Sequence, residues 1–157
     1  MRLRMAMTAS LLLAFGAPAG LAPATATVAQ QAPALSNRQI VERFIDLFYR
    51  QGRVREAFET YVHEDYIQHN PLAPDGRAAA IAALEPYFAS QPDAVREVHR
   101  IIVDGDLAAV HVRARQNPQD RGFAIVDILR LENGKIVEHW DVIQAVPEQS
   151  ANPHPMF

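Results

Sequence analysis

From residue 36 onward the apolar positions keep two different periods, and the change of period divides the chain. Ile40, Val41, Phe44, Ile45 and Phe48 recur at the three- and four-residue spacing of a helix face. Ser36-Asn37-Arg38-Gln39 has the form of a capping box, with Ser36 as cap and Gln39 reaching back, and Gln51-Gly52 ends the element. Val54, Ala57, Phe58, Tyr61 and Val62 predict a second helix. Residues 63–71 (HEDYIQHNP) read as a short irregular piece, and Pro71, Pro74 and Gly76 mark a loop. A third helix is predicted over residues 77–90, with Ile81, Leu84, Tyr87 and Phe88 inward and Pro86 costing it a hydrogen bond and a bend.

Beyond Pro92 the period falls to two. Residues 95–103 and 107–115 predict strands joined by a turn at Asp104-Gly105-Asp106, and residues 123–131 and 136–146 predict two more around Glu132-Asn133-Gly134-Lys135. Residues 147–157 contain three prolines and read as an extended tail. Helices first and an antiparallel meander second is an α+β layout. Three helices packed on one strongly curved, mostly antiparallel sheet would enclose a pocket between the layers.

The first 35 residues follow neither period. Arg2 and Arg4 open a mostly apolar stretch from Met5 to Ala17, and Ala24-Thr25-Ala26 is a small-x-small site, with Thr27-Val28-Ala29 a second candidate. This is the order of a secretory signal peptide, expected over residues 1–26, with a flexible leader over 27–35 and a single domain over 36–157. Gly16, Pro18, Gly20 and Pro23 break the stretch before the roughly 20 apolar residues that span a bilayer. The expected location is therefore the periplasm or the exterior, with no membrane association after cleavage.

Composition narrows the chemistry. The chain has no cysteine, which excludes disulfides, thiolate metal sites and a cysteine nucleophile. Fifteen basic residues against eighteen acidic give a net charge of −3, and no basic face suggests a nucleic-acid partner.

The candidate chemistry lies in the strands. Asp127 interrupts the apolar run Phe123-Ala124-Ile125-Val126-Asp127-Ile128-Leu129, and a buried carboxylate must be paired or protonated. Asp141 sits similarly in Trp140-Asp141-Val142-Ile143. Two registers of the last hairpin are open. A two-residue turn at Asn133-Gly134 pairs Leu131 with Ile136 and sets Asp127 across from Trp140. A three-residue loop with Gly134 left-handed in a bulge pairs Leu131 with Lys135, sets Asp127 opposite His139 and Ile125 opposite Asp141, and turns Asp127, His139 and Asp141 to one face. Glu-Asn-Gly-Lys suits a type I turn followed by a left-handed Gly, which favours the second register.

His111 lies in the apolar strand Ala108-Ala109-Val110-His111-Val112, where a core histidine bonded to backbone or to Asp127 is the plain reading. Tyr66, Gln68, His69 and Asn70 crowd polar groups beside the expected cavity, and with His139 and Trp140 they are candidates to contact a ligand. No metal is expected: His69, His111, His139 and Asp127 show no recognised ligand spacing.

From Tyr66 onward the chain resembles the SnoaL-like polyketide cyclase family. The resemblance rests on Tyr66-Ile67-Gln68-His69-Asn70-Pro71, Gly76-Arg77, Gly105-Asp106-Leu107 with Val110-His111-Val112, and most strongly on Asp127-Ile128-Leu129-Arg130 with residues 133–142 (NGKIVEHWDV). The closing Met156-Phe157 resembles members named as aldol-condensation enzymes. The likeness covers about residues 36–157 and implies the nuclear transport factor 2-like fold, a cone around a deep pocket, and a homodimer. It also implies ring closure by an intramolecular aldol reaction without a cofactor, with Asp141 matching the family's acid/base. A family histidine falls at Asp127, so an anion stands where a cation can stand, and a family asparagine falls near Gln68.

The expected activity is cofactor-independent acid/base chemistry, of aldol cyclase or isomerase type, on a small carbonyl compound. Asp141 is the expected acid/base, held by Asp127 and His111, with His69 or Tyr66 as the donor to the substrate oxygen. The alternative is an exported small-molecule-binding module without turnover, since one fold hosts both.

Overall fold

The computed structural model describes residues 34–157. The predicted signal peptide and most of the leader lie outside the described residues. Helix α1 (Asn37–Ile45) opens with the expected capping box: Ser36 accepts from the Gln39 backbone, and the Gln39 side chain accepts from the Ser36 backbone. It runs into one π-helical turn, Asp46–Arg50, closed by the Gln51 backbone N–H donating to Asp46 O at 3.0 Å. A π turn widens the helix by one residue, a device common at functional sites. Here it falls on Leu47, Phe48 and Tyr49.

Helix α2 (Val54–Tyr61) leads directly into strand β1 (Val62–Gln68). This strand corrects the expected irregular piece over residues 63–71, and Val62 starts the strand rather than ending the helix. The signal was weak for a physical reason. Only Val62 and Tyr66 of β1 are buried, and the strand is a sheet edge, so its other positions tolerate polar side chains. Helix α3 (Arg77–Ala89) passes through Pro86 without ending. Strands β2 (Val95–Asp104), β3 (Leu107–Arg115), β4 (Phe123–Glu132) and β5 (Lys135–Ala145) follow as the period predicts.

The five strands form one curved sheet in the order β1-β5-β4-β3-β2. The meander is antiparallel, and β1 joins β5 in parallel. The helices cover one face. Phe44, Phe48, Phe58 and Phe88 pack there with ring centroids 4.9–5.7 Å apart. Beneath them Val41, Ala57, Val62, Val110, Val112 and Ile136 are wholly buried. Burying side chains of this kind stabilises the fold by about 1.5–3 kcal/mol each for the larger ones. The tail turns back on the outer face, where the Phe157 ring lies 5.1 Å from His99 and 5.7 Å from His111.

The last hairpin follows neither expected register throughout. Asn133 and Gly134 both have positive φ (49° and 77°), the signature of a two-residue type I′ turn, and Leu131 pairs with Ile136. The bulge sits further in, at Val137, so that Arg130 faces Glu138 and Leu129 faces His139. Asp127 therefore stands directly opposite Asp141, where the favoured register had set His139. The extra residue has been moved from the turn into the strand.

Candidate functional site

The covered face of the sheet and the helices enclose a cavity of about 330 Å³. Its walls are mostly aromatic and aliphatic, and one group of polar residues gathers around Asp127, His139 and Asp141. Alternation decides which side chains enter it. On β5, His139 and Asp141 point in, while Glu138 and Trp140 point out. On the neighbouring edge Tyr66, Gln68 and Asn70 point in, and His69 points out.

The inward groups form a connected network. Tyr49 Oη donates to Asp127 Oδ2 at 2.7 Å, and Asp127 Oδ1 lies 3.1 Å from His139 Nε2. His139 Nδ1 lies 2.9 Å from Gln68 Oε1. Gln68 Oε1 also accepts from the Asn70 backbone N–H at 2.9 Å, and Gln68 Nε2 donates to Tyr66 Oη at 3.1 Å. Asn70 Nδ2 reaches both oxygens of Asp141, at 2.7 and 3.0 Å, while its own Oδ1 accepts from the Leu72 backbone.

This network assigns protons. The Asn70 N–H requires an oxygen in front of it, which fixes the Gln68 amide. His139 Nδ1 must then carry hydrogen. The 3.1 Å contact of His139 Nε2 with Asp127 Oδ1 likewise needs a hydrogen between them. Among the described residues only the Asn70 amide holds Asp141, so lone pairs of that carboxylate remain open to the cavity.

Burial, with the charges of Asp127 and Asp141, pushes the Tyr66 phenol well above its ordinary range. Burial and then Asp127 do the same to Tyr49. Both remain protonated at any working pH. Tyr49 spends its hydrogen on Asp127, whereas Tyr66 accepts from Gln68 and keeps its own hydrogen for a ligand.

Three sequence-predicted residues lie elsewhere. His111 is on the outer face of β3, where Nδ1 accepts from Arg100 at 2.8 Å. Burial first and the Arg100 guanidinium second push its imidazole below the ordinary range. The expectation that His111 holds Asp141 is thereby corrected: Val110, not His111, shares the inward row with Asp127. His69 stacks on Trp140 with centroids 4.6 Å apart and contacts Glu138 at 2.7 Å, so neither it nor Trp140 lines the cavity. The side chain that bonds Asp141 is Asn70, two residues beyond Gln68. Tyr49 was missed, although it continues the four-residue spacing of Val41 and Ile45 and carries a polar tip on an apolar stripe.

Among the described residues, Asp127, His139 and Asp141 each offer a ligand atom within 4.8 Å of the others and form a set that could hold a cation. His139 Nε2 would have to leave Asp127 to do so.

Comparison with known proteins agrees with this architecture. The chain matches the SnoaL-like domain model over residues 41–139. No curated protein sequence matches it significantly. Among solved structures, an NTF2-like protein of unknown function from Cytophaga hutchinsonii superposes with a TM-score of 0.59 at 16% identity, over 73% of this chain and 95% of that one. An NTF2-like protein of unknown function from Mesorhizobium loti gives 0.57 at 25% identity, over 69% and 90%. A candidate polyketide cyclase from Bacillus cereus gives 0.55 at 22%, over 69% and 78%. The curved sheet capped by three helices is thus the NTF2-like fold, and the chain belongs to the SnoaL-like domain family.

Proposed function

We propose that the protein is an exported, cofactor-independent acid/base enzyme acting on a small carbonyl compound, of the aldol cyclase or isomerase type. The observation that carries this reading is Asp141. Its carboxylate is held by the Asn70 amide, faces an apolar cavity and stands opposite a second acid that is hydrogen-bonded to His139. The candidate cyclase from Bacillus cereus supports the same class of chemistry.

In this reading Asp141 removes a proton alpha to the substrate carbonyl. The C–H electron pair moves into the enolate, and the Tyr66 hydroxyl donates to the enolate oxygen. For an isomerase, Asp141 returns the proton to another carbon. For an aldol closure, the enolate carbon attacks a second carbonyl of the same molecule, a C–C bond forms, and the new alkoxide takes the proton from Asp141. His139 and Asp127 keep Gln68 and the neighbouring edge in place and buffer the charge on Asp141. Water-poor walls strengthen each of these interactions.

Export rests on the order of Arg2, Arg4, the apolar stretch and Ala24-Thr25-Ala26. Sequencing the N-terminus of exported protein tests it, with a start after Ala26 or Ala29 expected. A homodimer is part of the same proposal. It draws support from the exposed Ile102 and Val142 on the outer face of the sheet, and sedimentation tests it.

The decisive experiment is deuterium exchange. The protein is incubated with ketones and β-dicarbonyl compounds in heavy water beside Asp141→Asn. Exchange alpha to the carbonyl with the wild type alone supports the enzyme. A folded protein that binds such compounds and exchanges none of them is a binding module instead.

A further inference from the structure

The cavity has a second polar side that the acid/base reading does not use. Arg96 reaches into it from β2, four residues along the sheet from the acids. Arg96, Ala114 and Phe123 form one row of the register, and Val110, Asp127 and Asp141 form another. Four residues of strand separate the rows by about 13 Å. The central carbon of the Arg96 guanidinium sits over the Phe88 ring, 3.8 Å from its centroid, and the group makes one long contact of 3.5 Å to Gln91. Its remaining N–H groups suit a fork-like contact with a carboxylate.

Among the described residues no acid pairs with Arg96. Two arginines line the cavity, Arg96 and Arg115. Arg115 pairs with Glu97 at 3.1 Å, whereas among the described residues Arg96 makes no ion pair. Half-buried in the wall, the guanidinium has its pKa lowered by burial yet stays charged. A cation so placed is stabilised by Phe88 and awaits an anion.

We propose that Arg96 is an anion-recognition pole, and that the cavity takes a ketone that also carries a carboxylate. The carboxylate meets the Arg96 fork and the ketone reaches Asp141 across the apolar walls. The two poles have opposite charge, so the ligand enters one way round: reversed, its carboxylate would meet Asp127 and Asp141. This names the substrate class of the site proposed above and rests on that reading for the ketone end only. The cavity volume suits two or three fused rings.

The probe is 6-acetyl-2-naphthoate beside its methyl ester, at fixed ionic strength, with binding read by naphthalene fluorescence and exchange of the acetyl protons read by NMR in heavy water. The acid is expected to bind the wild type about tenfold or more tighter than the ester. Arg96→Met should close that gap to within about twofold, and Arg96→Lys, a charge without the fork, should keep part of it. Equal binding of acid and ester by the wild type, a preference that survives in folded Arg96→Met, or no saturable binding of the acid would each overturn the proposal. Should Arg96→Met fail to fold, the wild-type ratio and Arg96→Lys decide. The two readings fail separately. A preference for the acid without acetyl exchange sinks the acid/base chemistry and leaves the anion pole. Exchange of acid and ester alike, with equal affinity, sinks the pole and leaves the chemistry.

Discussion

Strand β5 carries a histidine–carboxylate contact on each of its faces. Inside, His139 meets Asp127 at 3.1 Å, with side chains 13% and 10% exposed. Outside, Glu138 meets His69 at 2.7 Å, with His69 40% exposed, and Arg130 holds the other oxygen of Glu138 at 2.6 Å. The outer contact is the shorter, yet the inner one is the better candidate for chemistry. Outside, water screens the charges and Arg130 fixes Glu138 as a carboxylate, below its ordinary range. Inside, no arginine pairs with the acids among the described residues, the walls are apolar, and the His139–Asp127 contact lies beside a second carboxylate, Asp141. A short contact measures attraction, whereas reactivity needs an acid/base group that a substrate can reach.

The contrast can be broken by substitution. The largest effect is expected from Asp141→Asn, which keeps size and polarity but removes the base. Proton exchange at the alpha carbon should fall by about 10² to 10⁴-fold while the melting temperature changes little. An unchanged rate would move the chemistry off Asp141.

Next comes Asp127→Ala, which leaves Tyr49 Oη and His139 Nε2 without their partner in a buried place. We expect a loss of about 3 kcal/mol in urea unfolding. Relief of the repulsion across the Asp127–Asp141 pair offsets part of it. If Glu138→Ala on the outer face cost as much, burial would not be what separates the two pairs.

Tyr49→Phe removes one donor and keeps the ring. A loss of about 1 kcal/mol is expected by the same measurement, and less would mean that the Tyr49 bond to Asp127 is idle.

The smallest effect belongs to Glu138→Gln, and its sign is set by pH. Arg130 first and His69 second hold Glu138 below the ordinary value of 4.5. Its ionic contribution is complete above that value and is lost as pH falls through the folded value. The stability gap between wild type and Glu138→Gln should therefore narrow on acidification below 4.5. A gap that widened in acid would reverse the assignment.

The inner site was only partly legible along the chain. Asp127 announced itself as a charge in an apolar run, and Asp141 and His139 follow from alternation on one strand. Alternation also placed Glu138 and Trp140 on the other side. His69 and His111 were drawn toward the site by their neighbours in sequence, and each lies one position out of phase with the inward row. For His69 the error has a clear source. Without β1 as a strand, no phase could be assigned to Tyr66, Gln68, His69 and Asn70.

Local geometry was enough for the two periods of the chain, the number of helices, the meander and the carboxylates set among apolar residues. Side-chain direction repeats every 3.6 or 2 residues along the backbone, and it needs no distant partner. Closure of the sheet decided the rest. It set β1 against β5 in parallel, moved the bulge to Val137, put Asp127 opposite Asp141, and brought Asn70 onto Asp141 across 71 residues. It also laid Arg96 and Tyr49 against one cavity from opposite layers. Such meetings depend on which edges pair and in what register. Those choices are made by the packing of the whole core, because a shift of one residue exchanges the two faces of a strand.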